Sequence, residues 1–157
     1  MKVHTFHSKQ KLPVTLDKAW EFLTNPQNLP TLTPKEMNFK IVSKIDRPMY
    51  AGQIIEYSVT PIAGIKASWV SEITHIEAGK YFVDLQLYGP YAFWHHKHFV
   101  NEITNGVEIE DIIDYKIPLG IIGQIIHPII VKPKLKKIFN YRQEKLIEIF
   151  GKYKKNE

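Results

Sequence analysis

The sequence contains no cysteine among its 157 residues. Disulfides, thiolate nucleophiles and cysteine metal sites are thereby excluded, and a reducing compartment is the natural setting. It also lacks a long hydrophobic run. The longest apolar stretch, Ile117 to Val131, is interrupted by Pro118, Gly120, Gly123, Gln124, His127 and Pro128 and is too short to cross a bilayer. The opening Met1-Lys2-Val3-His4-Thr5 has no apolar segment of the signal-peptide kind, so a cytoplasmic protein is expected. Repeats, linkers and low-complexity segments are missing as well, and residues 1–157 read as a single domain. Apolar residues make up 44% and charged residues 24%, which excludes disorder.

Positive charge is scarce outside the C-terminal segment. The net charge is +5, yet residues 132–157 hold nine Lys or Arg against three Glu. The preceding 131 residues hold twelve basic and thirteen acidic side chains. A basic binding face for nucleic acid is therefore not expected. A basic helix on a neutral body points to a solvated outer face, or to a weak attraction for anionic membrane.

What is present is a regular order of elements. Val3, Thr5 and His7 alternate with His4, Phe6 and Ser8 over residues 1–12, a strand that Pro13 ends. Thr15 caps a short helix from Leu16 to Thr24, with Leu16, Ala19, Trp20 and Leu23 on one face, and Asn25-Pro26 stops it. Gln27 to Pro34 reads as a helical turn. Strand-like segments follow at 38–46, 52–61, 65–76, 80–88, 93–104 and 107–117, punctuated by Pro48, Gly52, Ala63-Gly64, Ala78-Gly79, Gly89-Pro90 and Asn105-Gly106. Such short connections predict antiparallel neighbours, and Asn-Gly is a strong hairpin signal. Beyond Pro118 the isoleucine doublets at 121–122, 125–126 and 129–130 repeat helically, with Pro128 and Pro133 expected to kink or break the helix. Leu135, Ile138, Phe139, Arg142, Leu146, Ile149, Phe150 and Tyr153 then form one stripe, so a long C-terminal helix lays that stripe on the sheet.

Strand side chains alternate with period two, so turn lengths predict which residues share a face. On 107–117, Val107, Ile109, Asp111, Ile113, Tyr115 and Ile117 face inward. A two-residue Asn105-Gly106 loop pairs Thr104 with Val107, sets His98 opposite Ile113 and His96 opposite Tyr115, and turns Trp94, His96, His98 and Val100 inward. Four-residue connections carried backward turn Tyr81, Val83, Leu85 and Leu87 inward, then Val70, Glu72, Thr74 and Ile76. The Ala63-Gly64 turn does the same for Ile55, Tyr57 and Val59. A bulge would flip everything beyond it, and Trp69 and Ile73, outward on this register, are the residues that argue for one.

The inner face is then apolar with a polar minority of Tyr57, Glu72, His96, His98, Asp111 and Tyr115. Glu72, Leu85, His96 and Tyr115 fall in one row, with the Glu72 and His96 backbones roughly 10 Å apart at the usual strand spacing. A solid core would not hold so many polar groups, since each unpaired one costs about 1–3 kcal/mol. A ligand cavity would.

The order of Pro13, Trp20-Glu21-Phe22-Leu23, Asn28-Leu29-Pro30, Thr33-Pro34, Trp69 and Phe82-Val83-Asp84-Leu85-Gln86 continues with Gly89-Pro90 and Trp94-His95-His96-Lys97-His98. It closes with Asp111, Tyr115, Pro118-Leu119-Gly120 and Tyr141-Arg142. Over nearly its whole length this pattern resembles the START-related, birch-pollen-allergen-like (SRPBCC) superfamily, and within it the bacterial stand-alone ligand-binding proteins related to polyketide cyclases. The resemblance implies an α+β helix-grip fold: a curved seven-stranded antiparallel sheet wrapped around a long C-terminal helix, with two short helices after the first strand. It also implies a cavity between sheet and helix for an apolar small molecule. Asp84 and Gln86 belong to the family-like stretch, although the register turns them outward.

Binding of a small hydrophobic ligand is the expected function, with Tyr57, Glu72, Leu85, Trp94, His96, His98, Asp111, Tyr115, Asp84 and Gln86 as site residues. The rival is a cyclase, aromatase or dehydratase acting on a polyketide-like substrate, with His96, His98, Glu72 and Asp111 as acid/base groups. A further alternative is a lipid carrier that docks through its basic helix. His96-Lys97-His98 puts two imidazoles about 7 Å apart along one strand face, a spacing open to zinc with Asp111 or Glu72. No metal or cofactor is nevertheless expected, and no nonheme-iron signature is present. The protein is expected to be a monomer or homodimer.

Overall fold

The computed structural model describes residues 2–62 and 64–154. Strand β1 (His4–Leu12) leads into helix α1 (Leu16–Leu23) and two 3-10 turns, Pro26–Asn28 and Lys35–Met37. Strands β2 (Lys40–Ile41), β3 (Gln53–Ile62), β4 (Ile65–Glu77), β5 (Tyr81–Tyr88), β6 (Phe93–Ile103) and β7 (Gly106–Lys116) follow. Helix α2 (Gly120–Ile126) passes through a π-helical turn, His127–Val131, into helix α3 (Lys132–Phe150). The strands form one seven-stranded antiparallel sheet in the order β1-β7-β6-β5-β4-β3-β2.

Of the strand expected over 38–46, only Lys40 and Ile41 pair, against Ser58 and Tyr57. The helix meets its prolines without breaking. The π-helical turn absorbs Pro128 inside the continuous helix, with the Lys132 N–H donating to the His127 carbonyl five residues back, and Pro133 follows that turn directly.

The hairpin between β6 and β7 has a two-residue turn, shifted from the expected position. Ile103 pairs with Gly106, so Thr104 and Asn105 form the turn, with Asn105 at φ 61°. Gly106 is needed for a different reason. A Cβ there would lie 2.0 Å from the carbonyl oxygen of Leu12, where the end of β1 pairs alongside the start of β7. The pairing slides by two residues, so facing is preserved and partners change. His98 lies opposite Asp111 rather than Ile113, and His96 opposite Ile113 rather than Tyr115.

Further along the sheet the expected register is overturned. Phe82 pairs with His98 and Asp84 with His96, an offset one residue different from that of a four-residue loop. Phe82 and Asp84 therefore share the inner face, and Leu85 moves to the outer one. Thr74 is a bulge: His75 pairs with Val83, yet Ile73 pairs with Asp84. Trp69, Ser71 and Ile73 turn inward beyond it, and Glu72 faces outward beside Leu85. A second irregularity between Val59 and Ile62 restores the expected facing of β3, whose Ile55, Tyr57 and Val59 are buried. Ala63, of the expected Ala63-Gly64 turn, lies outside the described residues.

The stripe on α3 packs in two places. Leu135 and Phe139 join Trp94, Ile113 and Tyr115, while Leu146 joins Leu12, Leu23 and Val107. Ile149, expected on the stripe, is largely exposed. A third cluster of Ile55, Tyr57 and Ile73 gathers Phe39, Met49 and Trp69 at the far end of the sheet.

Candidate functional site

Between these clusters lies a cavity of about 210 Å³. Its walls are mostly apolar and aromatic, among them Leu29, Met37, Tyr57, Trp69, Trp94 and Phe139. One wall is charged: Asp84 from β5, His96 and His98 from β6, and Arg142 from α3. The pleat accounts for three of these positions. His96 and His98 are two apart on one strand, and Asp84 is the cross-strand partner of His96. Arg142 arrives on the α3 stripe, one turn beyond Phe139.

Both ring nitrogens of His98 face carboxylates, Nδ1 at 2.9 Å from Asp111 Oδ1 and Nε2 at 2.8 Å from Asp84 Oδ2. Carboxylates only accept, so both bonds require the imidazolium. Burial alone would lower the His98 pKa, but the bonds it donates to Asp111 and Asp84, together with their negative charge, outweigh this and raise it above the ordinary value. Phe82 stacks on this ring at 4.1 Å.

His96 is the opposite case. Its Nε2 donates to Asp111 Oδ1 at 3.1 Å, whereas its Nδ1 is 3.7 Å from Asp84 Oδ2, too far for a hydrogen bond. Burial and the neighbouring charge on His98 push its pKa down to about 4. The two rings sit 3.6 Å apart, so one proton on the pair discourages a second. His96 thus holds a neutral ring whose Nδ1 lone pair is left over on the cavity wall.

Burial pushes the Asp111 carboxyl up, but the Arg142 guanidinium and the two histidine bonds outweigh it and hold it well below the usual range. Burial pushes Asp84 up as well, but the bond from His98 together with the surrounding charges, Arg142 among them, outweighs this and lowers it. Two carboxylates, one imidazolium and one guanidinium make a buried cluster with balanced formal charge. The guanidinium is the least satisfied member. Arg142 reaches Asp111 only at 3.5 Å, it makes no hydrogen bond among the described residues, and its buried Nε has no partner.

Asp84, His96 and His98 bring three ligand atoms within 4.8 Å of one another, a spacing a divalent ion can use. The charge pattern favours protons there. His98 would have to give up a proton that two carboxylates hold, beside a guanidinium that repels a cation.

Of the expected site residues, Tyr57, Trp94, His96 and His98 line the cavity. Asp84 lines it too, contrary to the register that turned it outward. Asp111 stands off the cavity wall and orients both imidazoles. Glu72 and Leu85 are on the other face of the sheet, carried there by the Thr74 bulge and the one-residue offset of β5. Gln86 faces inward but braces the β5–β6 connection, donating to the Tyr91 carbonyl at 2.8 Å and accepting from its N–H at 3.3 Å. Tyr115 is buried away from the cavity and bonds His127 at 2.7 Å. Arg142 was legible only as a stripe position. An arginine in an otherwise apolar stripe is the signal that marks it.

No protein-family model and no curated protein matches the chain, whereas solved structures do. It is similar to a Chromobacterium violaceum protein (TM-score 0.72, 10% identity) over 95% of this chain and 98% of the other. It is similar to a START superfamily protein of Mycobacterium smegmatis (TM-score 0.70, 10% identity) over 94% and 97%. It is similar as well to a point mutant of Thalictrum flavum norcoclaurine synthase, in complex with a transition-state analogue (TM-score 0.65, 13% identity), over 94% and 96%. The likeness establishes the α+β helix-grip fold of START-related proteins.

Proposed function

We propose that the protein takes up a small amphipathic molecule, with its apolar body in the cavity and an anionic or hydrogen-bond-accepting end at Arg142, beside the His96 Nδ1 lone pair, which accepts from any donor the ligand carries. Residues 1–157 form one ligand-binding domain on this reading. The observation that carries it is the Arg142 guanidinium, buried on a cavity wall without a hydrogen bond among the described residues. A buried donor left unpaired costs about 1–3 kcal/mol, more when charged, and a ligand acceptor removes that cost. The space is adequate: apolar cavities of about 150 Å³ already admit benzene.

Two probes test it. Wild-type protein is expected to bind both anilinonaphthalene sulfonate, which is anionic, and Nile red, which is neutral. Arg142→Met should weaken the anionic dye by about tenfold or more, the size of one charge-assisted bond, and leave Nile red nearly unchanged. Failure of wild type to bind either dye overturns the cavity reading. Equal binding of the anionic dye by the variant overturns the assignment of the polar end.

A second reading is acid/base catalysis on a carbonyl substrate, of the cyclase or dehydratase kind. It is favoured by the paired protonation states: a neutral His96 with an unused lone pair beside a protonated His98. His96 would then be the general base and the Arg142 guanidinium the donor to a developing oxyanion, while His98, with both N–H groups held by Asp84 and Asp111, fixes the charge of the cluster. With a polyketide-like substrate, unchanged turnover in His96→Ala would remove this role.

A further inference from the structure

Helix α2 and the π-helical turn carry their polarity inside out. The inward side holds Gly123, Gln124 and His127. Gln124 accepts from His4 Nε2 at 2.9 Å, and His127 bonds Tyr115 while stacking on His4 at 3.7 Å. Gly123 lets the chain turn tightly from β7 into α2, since a Cβ there would fall 2.1 Å from the Pro118 carbonyl oxygen. The outward side is isoleucine. Ile121 is 79% exposed, Ile129 71% and Leu119 68%, with Ile122, Ile125 and Ile130 between them. A surface helix normally turns its apolar stripe to the core. A contiguous apolar face of this kind marks an interaction surface.

The chemistry around the patch says what covers it. Between Asp114 and Glu144 the sequence has no acidic residue, but it has Lys116, Lys132, Lys134, Lys136, Lys137 and Arg142. Lys137 pairs with Glu36 at 2.7 Å, whereas Lys132, Lys134 and Lys136 have no ion pair among the described residues. Isoleucines followed directly by unpaired lysines suit an anionic lipid surface, where the apolar face enters the interfacial layer and the ammonium groups meet headgroups. A second copy of this chain fits less well. A two-fold contact would bring one lysine cluster near another, with no carboxylate in the segment to answer it.

We propose that the outward face of α2 and the π-helical turn is a docking surface for anionic membrane. The expected membrane contact through the basic outer face of the C-terminal helix thereby moves to the isoleucine segment that precedes it, with lysines as the rim. The docked segment adjoins the ligand site, because Val131 and Lys134 also belong to the cavity wall. Among the described residues no helix is long and apolar enough to cross a membrane, which leaves an interfacial mode for this segment.

Co-sedimentation with vesicles tests the proposal without reference to any cavity ligand. Wild-type protein should pellet with phosphatidylcholine vesicles containing phosphatidylglycerol, and less as salt is raised. The triple variant Ile121→Ser, Ile125→Ser, Ile129→Ser should lose this binding by at least about tenfold with an unchanged melting temperature, since all three side chains are exposed. Each of Lys132→Gln, Lys134→Gln and Lys136→Gln should cost about fivefold, the size expected for one lysine at an anionic surface. Absence of vesicle binding by wild type, or binding untouched by the isoleucine variant, overturns the proposal. So does a dimer in sedimentation equilibrium that the isoleucine variant dissolves while wild type ignores vesicles.

Discussion

Nδ1 of His98 meets Oδ1 of Asp111 at 2.9 Å because the two residues are directly opposite each other on β6 and β7. The Asp111 carboxylate, buried against two imidazoles and a guanidinium, is the centre of the charged cluster. Asp111→Ala should therefore be severe, at about 3–5 kcal/mol, the cost of leaving buried charges without their partner. Urea unfolding measures it. A loss under about 1 kcal/mol would mean that His98 is not a buried imidazolium.

The two histidines should separate on mutation. His98→Ala strips a donor from both Asp84 and Asp111 and should cost about 3 kcal/mol or more. His96→Ala leaves Asp111 with His98 and Arg142 and opens onto the cavity, where water can enter; it should cost less than about 1 kcal/mol. Equal losses in thermal unfolding would remove the distinction between orienting and cavity-facing imidazole.

Titration should separate them as well. The neutral form of His96 is favoured in the folded state, with a value of about 4 against an ordinary 6.5. Its stabilising contribution is thus full above about 6.5 and is lost as pH falls towards 4. His98 is raised, so its contribution is full below the ordinary value and is lost as pH climbs through the folded one. Stability should pass through a maximum, with the pair carrying one proton between the two folded values. Imidazole nitrogen shifts in NMR would show His96 neutral and His98 charged at pH 6; the reverse order would sink the assignment.

Gly106→Ala should destabilise by about 2–4 kcal/mol, because the new Cβ would meet the backbone of Leu12 at 2.0 Å and β1 or β7 would have to move. A neutral result would show that the end of β1 is not packed there.

Phe139→Ala should cost about 3 kcal/mol, the low end for a buried phenylalanine, because one side of the ring already faces the cavity. It should also enlarge the site, which bulkier apolar dyes would report. Lys136→Ala on the opposite side of α3 should stay within about 0.5 kcal/mol.

The sequence by itself determined the element order, the inward facing of β3, β6 and β7, and the buried stripe of α3. Each rests on local periodicity or a short turn, which neighbouring residues set between them. It placed His96, His98 and Asp111 on one face for the same reason. The carboxylate that completes the cluster was decided by the tertiary structure. Asp84 replaces Glu72 because the longer connection around Gly89-Pro90 offsets β5 by one residue and the Thr74 bulge flips the far part of β4. With a side-chain period of two, one inserted residue exchanges the faces of everything beyond it. Alternation along a strand does not mark where a residue is inserted, because the segments on either side of a bulge each keep their own period of two. The isoleucine doublets show the same limit. Their helical repeat is plain in the chain, yet the bonds of His4 and Tyr115 to Gln124 and His127 turn the polar side inward and leave the apolar side out. Those partners come from strands more than a hundred residues away and twelve residues away, and only the fold brings both to the same side of one helix.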